Sequence, residues 1–217
     1  MQLSFSKAGL FKQKKTNYSI KSIVGGVFTD WNEMYKKFSL EKIPWHSEEA
    51  PVSLKNAIEN VPRGKALDVC SGTGTNSIFL AMQGFDVTGI DISKKAVEIA
   101  GKRAIKEKTK INFKVENALE LKDRGKFEFV FDRGCFHHMP PDARRKFIAN
   151  IAHSLKKNGK FQLMAFSENN SFRKGFTKQQ IKDYFSRQFK TGKITEETHA
   201  EPDGNRVFLY VTTMTKK

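Results

Sequence analysis

The stretch FDRGCFHHMPPD, residues 131–142, gathers an arginine, a cysteine, two adjacent histidines and two prolines at the end of an apolar run. Those residue types admit three chemistries. A cysteine beside histidines can serve as a nucleophile, two histidines can begin a metal site, and an arginine at a strand end can hold an anionic or polarised ligand. His137 and His138 are adjacent, so a helix or turn points them in different directions, and no further ligands complete a metal site around them. Cys135 reads as a small buried hydrophobe.

A second group is LDVCSGTGTNS, residues 67–77, followed by GIDIS, residues 89–93. A strand entering a glycine-rich turn lets backbone approach a ligand where a Cβ would clash. Gly72 and Gly74 alone could form a tight turn and nothing more. Asp91, at the end of the next strand, is placed to accept hydrogen bonds from ribose hydroxyls, and the pair then reads as a nucleoside site.

The elements that position these groups follow a rhythm that starts at residue 64. KALDV is a strand, NSIFLAMQGF a helix closed by Gly84, and DVTGIDIS a second strand. SKKAVEIAGKRAIKE is a helix with Ser93 as its cap. INFKVENALEL and FEFVFDRG are the third and fourth strands, and PPDARRKFIANIAHSLKKNG is a helix started by proline and stopped by Gly159. KFQLMAFS is the fifth strand, TKQQIKDYFSRQF a helix, and KITEETHAEPDGNRVFLYVTTMTK two strands joined at PDGN in an antiparallel hairpin. The fold class is therefore α/β: a Rossmann-like, doubly wound, mostly parallel seven-stranded sheet with helices on both faces and an antiparallel C-terminal hairpin. Residues 1–52 belong to no βα unit and carry both tryptophans. They read as an N-terminal helical extension and lid over the ligand edge of a single core domain, residues 53–217.

Of the 217 residues, 38% are hydrophobic and 12% aromatic, enough for one good core. Cys70 and Cys135 lie far apart with no zinc-site spacing, so neither a disulfide framework nor a zinc module is expected, and a reducing, cytoplasmic setting fits. The N-terminus MQLSFSKAGLFKQKKTNYS has no uninterrupted apolar region, and no uncharged apolar stretch reaches membrane-spanning length. The net charge of +16 raises nucleic acid, anionic membrane surfaces and acidic small molecules as partners. The basic residues alternate with apolar ones along the chain, as on a solvated surface, so a nucleic-acid groove is not favoured.

On these motifs the chain resembles the class I S-adenosylmethionine-dependent methyltransferases, over roughly residues 60–215. The glycine turn is CSGTG, the first strand's acid is Asp68, the ribose acid is Asp91, and VENALEL matches the adenine-contacting segment after strand three. A dinucleotide oxidoreductase would want a third glycine opening the helix, which SGTGTNS lacks. The resemblance implies S-adenosylmethionine as cofactor, with S-adenosylhomocysteine as product. It also implies contacts from Asp68, Cys70, Ser71, Gly72, Gly74 and Asn76 at the turn, Asp91 and Ile92 after strand two, Asn117 and Ala118 after strand three, and Asp132 on strand four. Cys70 stands where the family has its first glycine and is small enough to sit beside the cofactor. Asn117 stands where an Asp is common and keeps a carbonyl acceptor for an adenine amino group.

WNEMYKKFSLEKIPWH places Trp31 and Tyr35 one helical turn apart on one face, with Trp45 after a proline. This segment and DRG at the end of strand four look like the thiopurine, thiol and halide methyltransferase group, with tellurite-resistance-type enzymes nearby. That likeness makes Trp31, Tyr35 and Trp45 lid residues whose ring faces suit a sulfonium cation. Methyl transfer to a soft acceptor is a direct displacement that needs alignment and exclusion of water, not an enzyme nucleophile. Arg133 would lie near a small-molecule acceptor, and His137 or His138 could take its proton. RNA or protein methylation, or O- or N-methylation of a small molecule, are the alternatives.

Overall fold

The computed structural model describes residues 30–171, 174–201 and 204–217. The extreme N-terminal stretch and Pro202 and Asp203 of the expected hairpin turn lie outside the described residues. β1 (Lys65–Val69), β2 (Asp86–Asp91), β3 (Asn112–Val115), β4 (Phe127–Arg133) and β5 (Leu155–Phe166) run parallel, in the order β3-β2-β1-β4-β5. The chain reverses direction beyond β5, where β8 (Arg206–Lys216) pairs antiparallel to it. Seven positions across the sheet are filled by eight strands. The seventh is shared end to end by β6 (Phe189–Thr191), which pairs with residues 214–216 of β8, and β7 (Thr195–Ala200), which pairs with residues 206–211. Residue 192, between them, must be glycine, because a Cβ there would stand 2.5 Å from the carbonyl oxygen of Thr213.

Helices cover both faces. α1 (Trp31–Lys37) and α2 (Val52–Ala57) precede the sheet; α3 (Thr75–Met82) and α4 (Lys94–Lys106) follow β1 and β2. The short α5 (Cys135–His138) follows β4, then come α6 (Arg144–Ser154) and α7 (Lys178–Phe185). Ser93 caps α4 as its sequence position predicts, accepting the N–H of Ala96, and Thr177 with Gln180 forms a capping box on α7. Side chains alternate across the sheet. Phe129 and Phe131 enter one layer with Leu54, Ile58, Met164 and Leu209, whereas Val130 enters the other with Phe147, Ile151, Ile181 and Phe185. Burying each such phenylalanine is worth about 2–3 kcal/mol.

Two expectations need correction. The helix after the double proline ends at Ser154, not at Gly159. Residues 156–159 form a polar bulge in β5, where the partner of Phe127 is Leu155 but that of Phe129 is already Lys160. Leu155 is fully buried, and its apolar side chain recruits the chain into the sheet before the glycine is reached. The second correction concerns the cysteines: Cys70 and Cys135, 65 residues apart, form a disulfide with Cα atoms 5.7 Å apart. β1 and β4 are neighbours in the sheet, so the residues just beyond their ends meet, which sequence spacing does not reveal. Cysteines paired in this way do not point to a reducing compartment. Among the described residues no helix is long and apolar enough to cross a membrane.

Candidate active site

The ligand edge of an open parallel sheet lies beyond the carboxyl ends of its strands, and there the chain from Cys70 to Gly74 turns sharply, with φ of 53° at Cys70, 53° at Gly72 and 83° at Gly74. Left-handed backbone suits the glycines and explains their place. The turn is fixed by hydrogen bonds from the N–H of Ser71 to the carbonyl of Ile90 (2.9 Å) and from the N–H of Gly74 to that of Ser71 (2.9 Å). Asp91 locks it from β2: its Oδ2 accepts the N–H of Gly72 and its Oδ1 that of Ser93, both at 2.8 Å. Within this turn Ser71 Oγ and Asn76 Oδ1 are buried without hydrogen-bond partners. Orphaned buried polar atoms are costly, and here they mark where a polar ligand belongs.

Beside Asp91 the surface is apolar. Ile92 and Val115 are 57% and 54% exposed, open to pack a purine ring. Asn117 Oδ1 accepts the N–H of Leu119 (3.0 Å), capping the 3-10 turn Ala118–Glu120. The oxygen expected to meet an adenine amino group thus already has a local partner, leaving one lone pair and the amide N–H groups. Ala118 is buried beneath it.

Asp68 and Asp132 lie behind the turn. Asp68 Oδ2 accepts the hydroxyl of Ser77 (2.6 Å), and burial, reinforced by the nearby Asp91 charge, pushes its carboxyl up to about 7 against that hydrogen bond. Asp132 is fully buried; its two oxygens accept the N–H groups of Cys135 (2.7 Å) and Phe136 (3.0 Å), and burial pushes it up to about 7 as well. Asp132 therefore positions α5, with both carboxylate oxygens engaged by backbone.

The N-terminal segment sits on the turn. Tyr35 is buried, and its hydroxyl would stand 2.9 Å from a Cβ added at Gly72; the Nε1–H of Trp45 donates to it at 2.8 Å. Burial, with a further push from Asp91, raises the Tyr35 hydroxyl far above its ordinary pKa, so it stays neutral. Trp31 and Trp45 meet edge to face (centroids 5.3 Å), and Trp31 meets His138 the same way (4.9 Å). This segment is fastened by residues that the sequence patterns do not single out. Asn32 Oδ1 accepts the N–H of Lys95 (2.9 Å) at the start of α4. His46 Nδ1 bonds Thr73 Oγ1 (2.9 Å), and Arg103 bridges Glu48 (2.7 Å), the carbonyl of Thr73 (2.9 Å) and Thr75 Oγ1 (2.7 Å). Single polar side chains leave no periodic signal, so only the fold could pair them.

His137 stacks on Phe166 with centroids 3.6 Å apart, and its Nδ1 accepts the N–H of Phe166 at 3.0 Å. That nitrogen's lone pair is spent on backbone. Arg133 ends β4 largely buried, and among the described residues it makes no hydrogen bond or ion pair.

A glycine turn held by an acid at the end of β2, with an open apolar shelf beside it on a Rossmann-like sheet, suits a nucleoside cofactor. Residues 66–159 match the family described as methyltransferase domain. An uncharacterized methyltransferase of Schizosaccharomyces pombe is 33% identical over 123 residues, 56% of this chain and 81% of that protein. A structure solved for the conversion of a disulfide bond into a thioacetal group during echinomycin biosynthesis superposes with a TM-score of 0.76 at 19% identity, covering 86% of this chain and 91% of the other. Magnesium protoporphyrin IX methyltransferase from Synechocystis PCC 6803, with bound S-adenosylmethionine, gives 0.63 at 18% identity over 76% of this chain and 77% of the other. The chain belongs to the S-adenosylmethionine-dependent methyltransferases. When bound, the cofactor supplies an electrophilic methyl group on a sulfonium centre. The orphaned Ser71 and Asn76 atoms, Asp91 and the Ile92 shelf fit its methionyl, ribose and adenine parts.

Proposed function

We propose that this enzyme methylates a small-molecule acceptor, a thiol or other soft nucleophile of the thiopurine and thiol type, with the described part of the N-terminal extension, residues 30–52, acting as its lid. The observation that carries this reading is Arg133, a largely buried guanidinium without a bonded carboxylate at the end of β4, two residues before α5, whose His138 meets Trp31 and Phe166 in an aromatic cluster that includes Trp45. An unpaired buried cation is costly unless a ligand neutralises it, and polarisable acceptors suit an aromatic rim. Sulfur chemistry in the solved structure from echinomycin biosynthesis points the same way.

The test begins with calorimetry of S-adenosylmethionine on the wild type and Asp91→Ala, followed by a panel of thiols, thiopurines, selenite and tellurite. Binding lost in the mutant, with S-adenosylhomocysteine formed from a sulfur or chalcogen acceptor, is the expected result. Arg133→Ala should cut turnover about 100-fold while cofactor affinity changes less than threefold. Equal losses of turnover and affinity would remove Arg133 from the acceptor side. Binding without turnover across the panel would transfer the reading to oxygen, nitrogen or RNA acceptors, the last recognisable by a steep salt dependence of RNA binding.

A further inference from the structure

The terminal hairpin brings two ionisable side chains to the acceptor side of Arg133. β7 pairs with β8 so that Glu197 lies opposite Leu209 and His199 opposite Val207. Residues directly opposite in an antiparallel pair share a face, and Val207 and Leu209 belong to the layer that contains Phe131, Phe166 and Leu54. Arg133 follows Phe129 and Phe131 on that same face of β4. Its guanidinium stands within electrostatic reach of Glu197 on one side and Asp68 on the other, and His199 in turn feels Arg133. The result is a row of Asp68, Arg133, Glu197 and His199, drawn from β1, β4 and β7, on the face of the sheet that carries this apolar layer.

His199 is unlike the other candidate bases. Its Nε2 is buried with no hydrogen bond and lies 3.5 Å from Glu197 Oε2, an ion-pair distance. Burial, and then the Arg133 charge, hold the imidazole below its ordinary pKa against the pull of Glu197, so at neutral pH it is uncharged and able to accept a proton. His137, by contrast, has its Nδ1 committed to Phe166.

We propose that His199, steadied by Glu197, takes the proton of the methyl acceptor, a thiol, while Arg133 stabilises the anion that forms. The proposal rests on the small-molecule reading above. The acceptor's S–H bond breaks, its proton passes to the imidazole, and the sulfur electron pair forms the new bond to the methyl carbon. The bond from that carbon to the sulfonium sulfur breaks, its electron pair remaining there to give S-adenosylhomocysteine. Glu197 balances the imidazolium.

Two thiols separate this role from a structural one. Benzyl mercaptan is protonated at neutral pH and 4-nitrothiophenol is ionised. His199→Asn should slow methylation of benzyl mercaptan about 100-fold and that of 4-nitrothiophenolate less than threefold, because only the first needs a base. Arg133→Met should slow both. Glu197→Gln should act as a weaker copy of His199→Asn, and it carries the test if His199→Asn proves poorly folded. Unchanged S-adenosylmethionine affinity in each variant, read by calorimetry, shows that the fold is intact. Equal losses on the two thiols would overturn the proposal while leaving the thiol reading in place. Should the wild type neither methylate either thiol nor, loaded with S-adenosylhomocysteine, bind 4-nitrothiophenolate, the thiol reading fails and this proposal with it.

Discussion

At the scale of single residues, burial shifts the ionisable groups of this site, and burial has a measurable cost. Asp68 is held at about 7 against an ordinary 3.8, so between those values it is protonated when folded and ionised when unfolded. The unfolded chain then binds fewer protons than the native one, and stability falls as pH rises through that window. Its favourable contribution is full below the ordinary value and is lost once pH passes about 7. Asp68→Asn should flatten the decline of the urea midpoint between pH 5 and pH 8; an unchanged slope would mean that Asp68 is not its source. Asp68, Asp91 and the two glycines were legible in the sequence because they sit at strand ends and in a turn whose composition is distinctive. Asn32, Arg103, Glu197 and His199 were not, since each draws its meaning from partners on other elements.

At the scale of elements, the N-terminal segment proposed as a lid and the glycine turn fit each other. α1 docks on α4 through Asn32, and Tyr35 closes on Gly72 so tightly that no Cβ can intervene. Gly72 also has a φ of 53°, where an L side chain is strained. Gly72→Ala should therefore weaken S-adenosylmethionine binding by tenfold or more, while lowering the unfolding free energy by only about 1–2 kcal/mol. Calorimetry and urea unfolding on the same preparation check both halves, and wild-type affinity in the variant would show that lid and turn do not need this contact. Strands and helices followed from hydrophobic period and capping residues, and Ser93 caps α4 as read. The early end of α6 and the split seventh strand did not follow, because sheet pairing at Leu155 and along β8 overrides local glycine and charge signals.

At the scale of the whole molecule, one covalent link and a large charge act together. The Cys70–Cys135 disulfide closes a loop of 65 residues between the first and fourth strands. Constraining an unfolded loop of that length is worth about 4 kcal/mol. Thiol reagent should find no free cysteine in the unreduced, denatured protein and two after reduction, and reduction should lower the thermal midpoint. Two reactive thiols before reduction would refute the link. The net charge of +16 on 217 residues imposes self-repulsion that such a cross-link helps to offset.

The sequence by itself determined the alternation of strands and helices, the left-handed turn after β1 and the acid after β2. These depend on neighbours a few residues away, and local period, capping and glycine chemistry encode them. Only the tertiary structure decided which distant groups share the site. It set Cys70 against Cys135, laid Tyr35 on Gly72, withdrew Asp132 and His137 into backbone hydrogen bonds, and brought Glu197 and His199 to Arg133. The physical reason is that strand order, not chain order, sets distance at a sheet edge. β7 and β4 are far apart in sequence, yet share one face of one sheet.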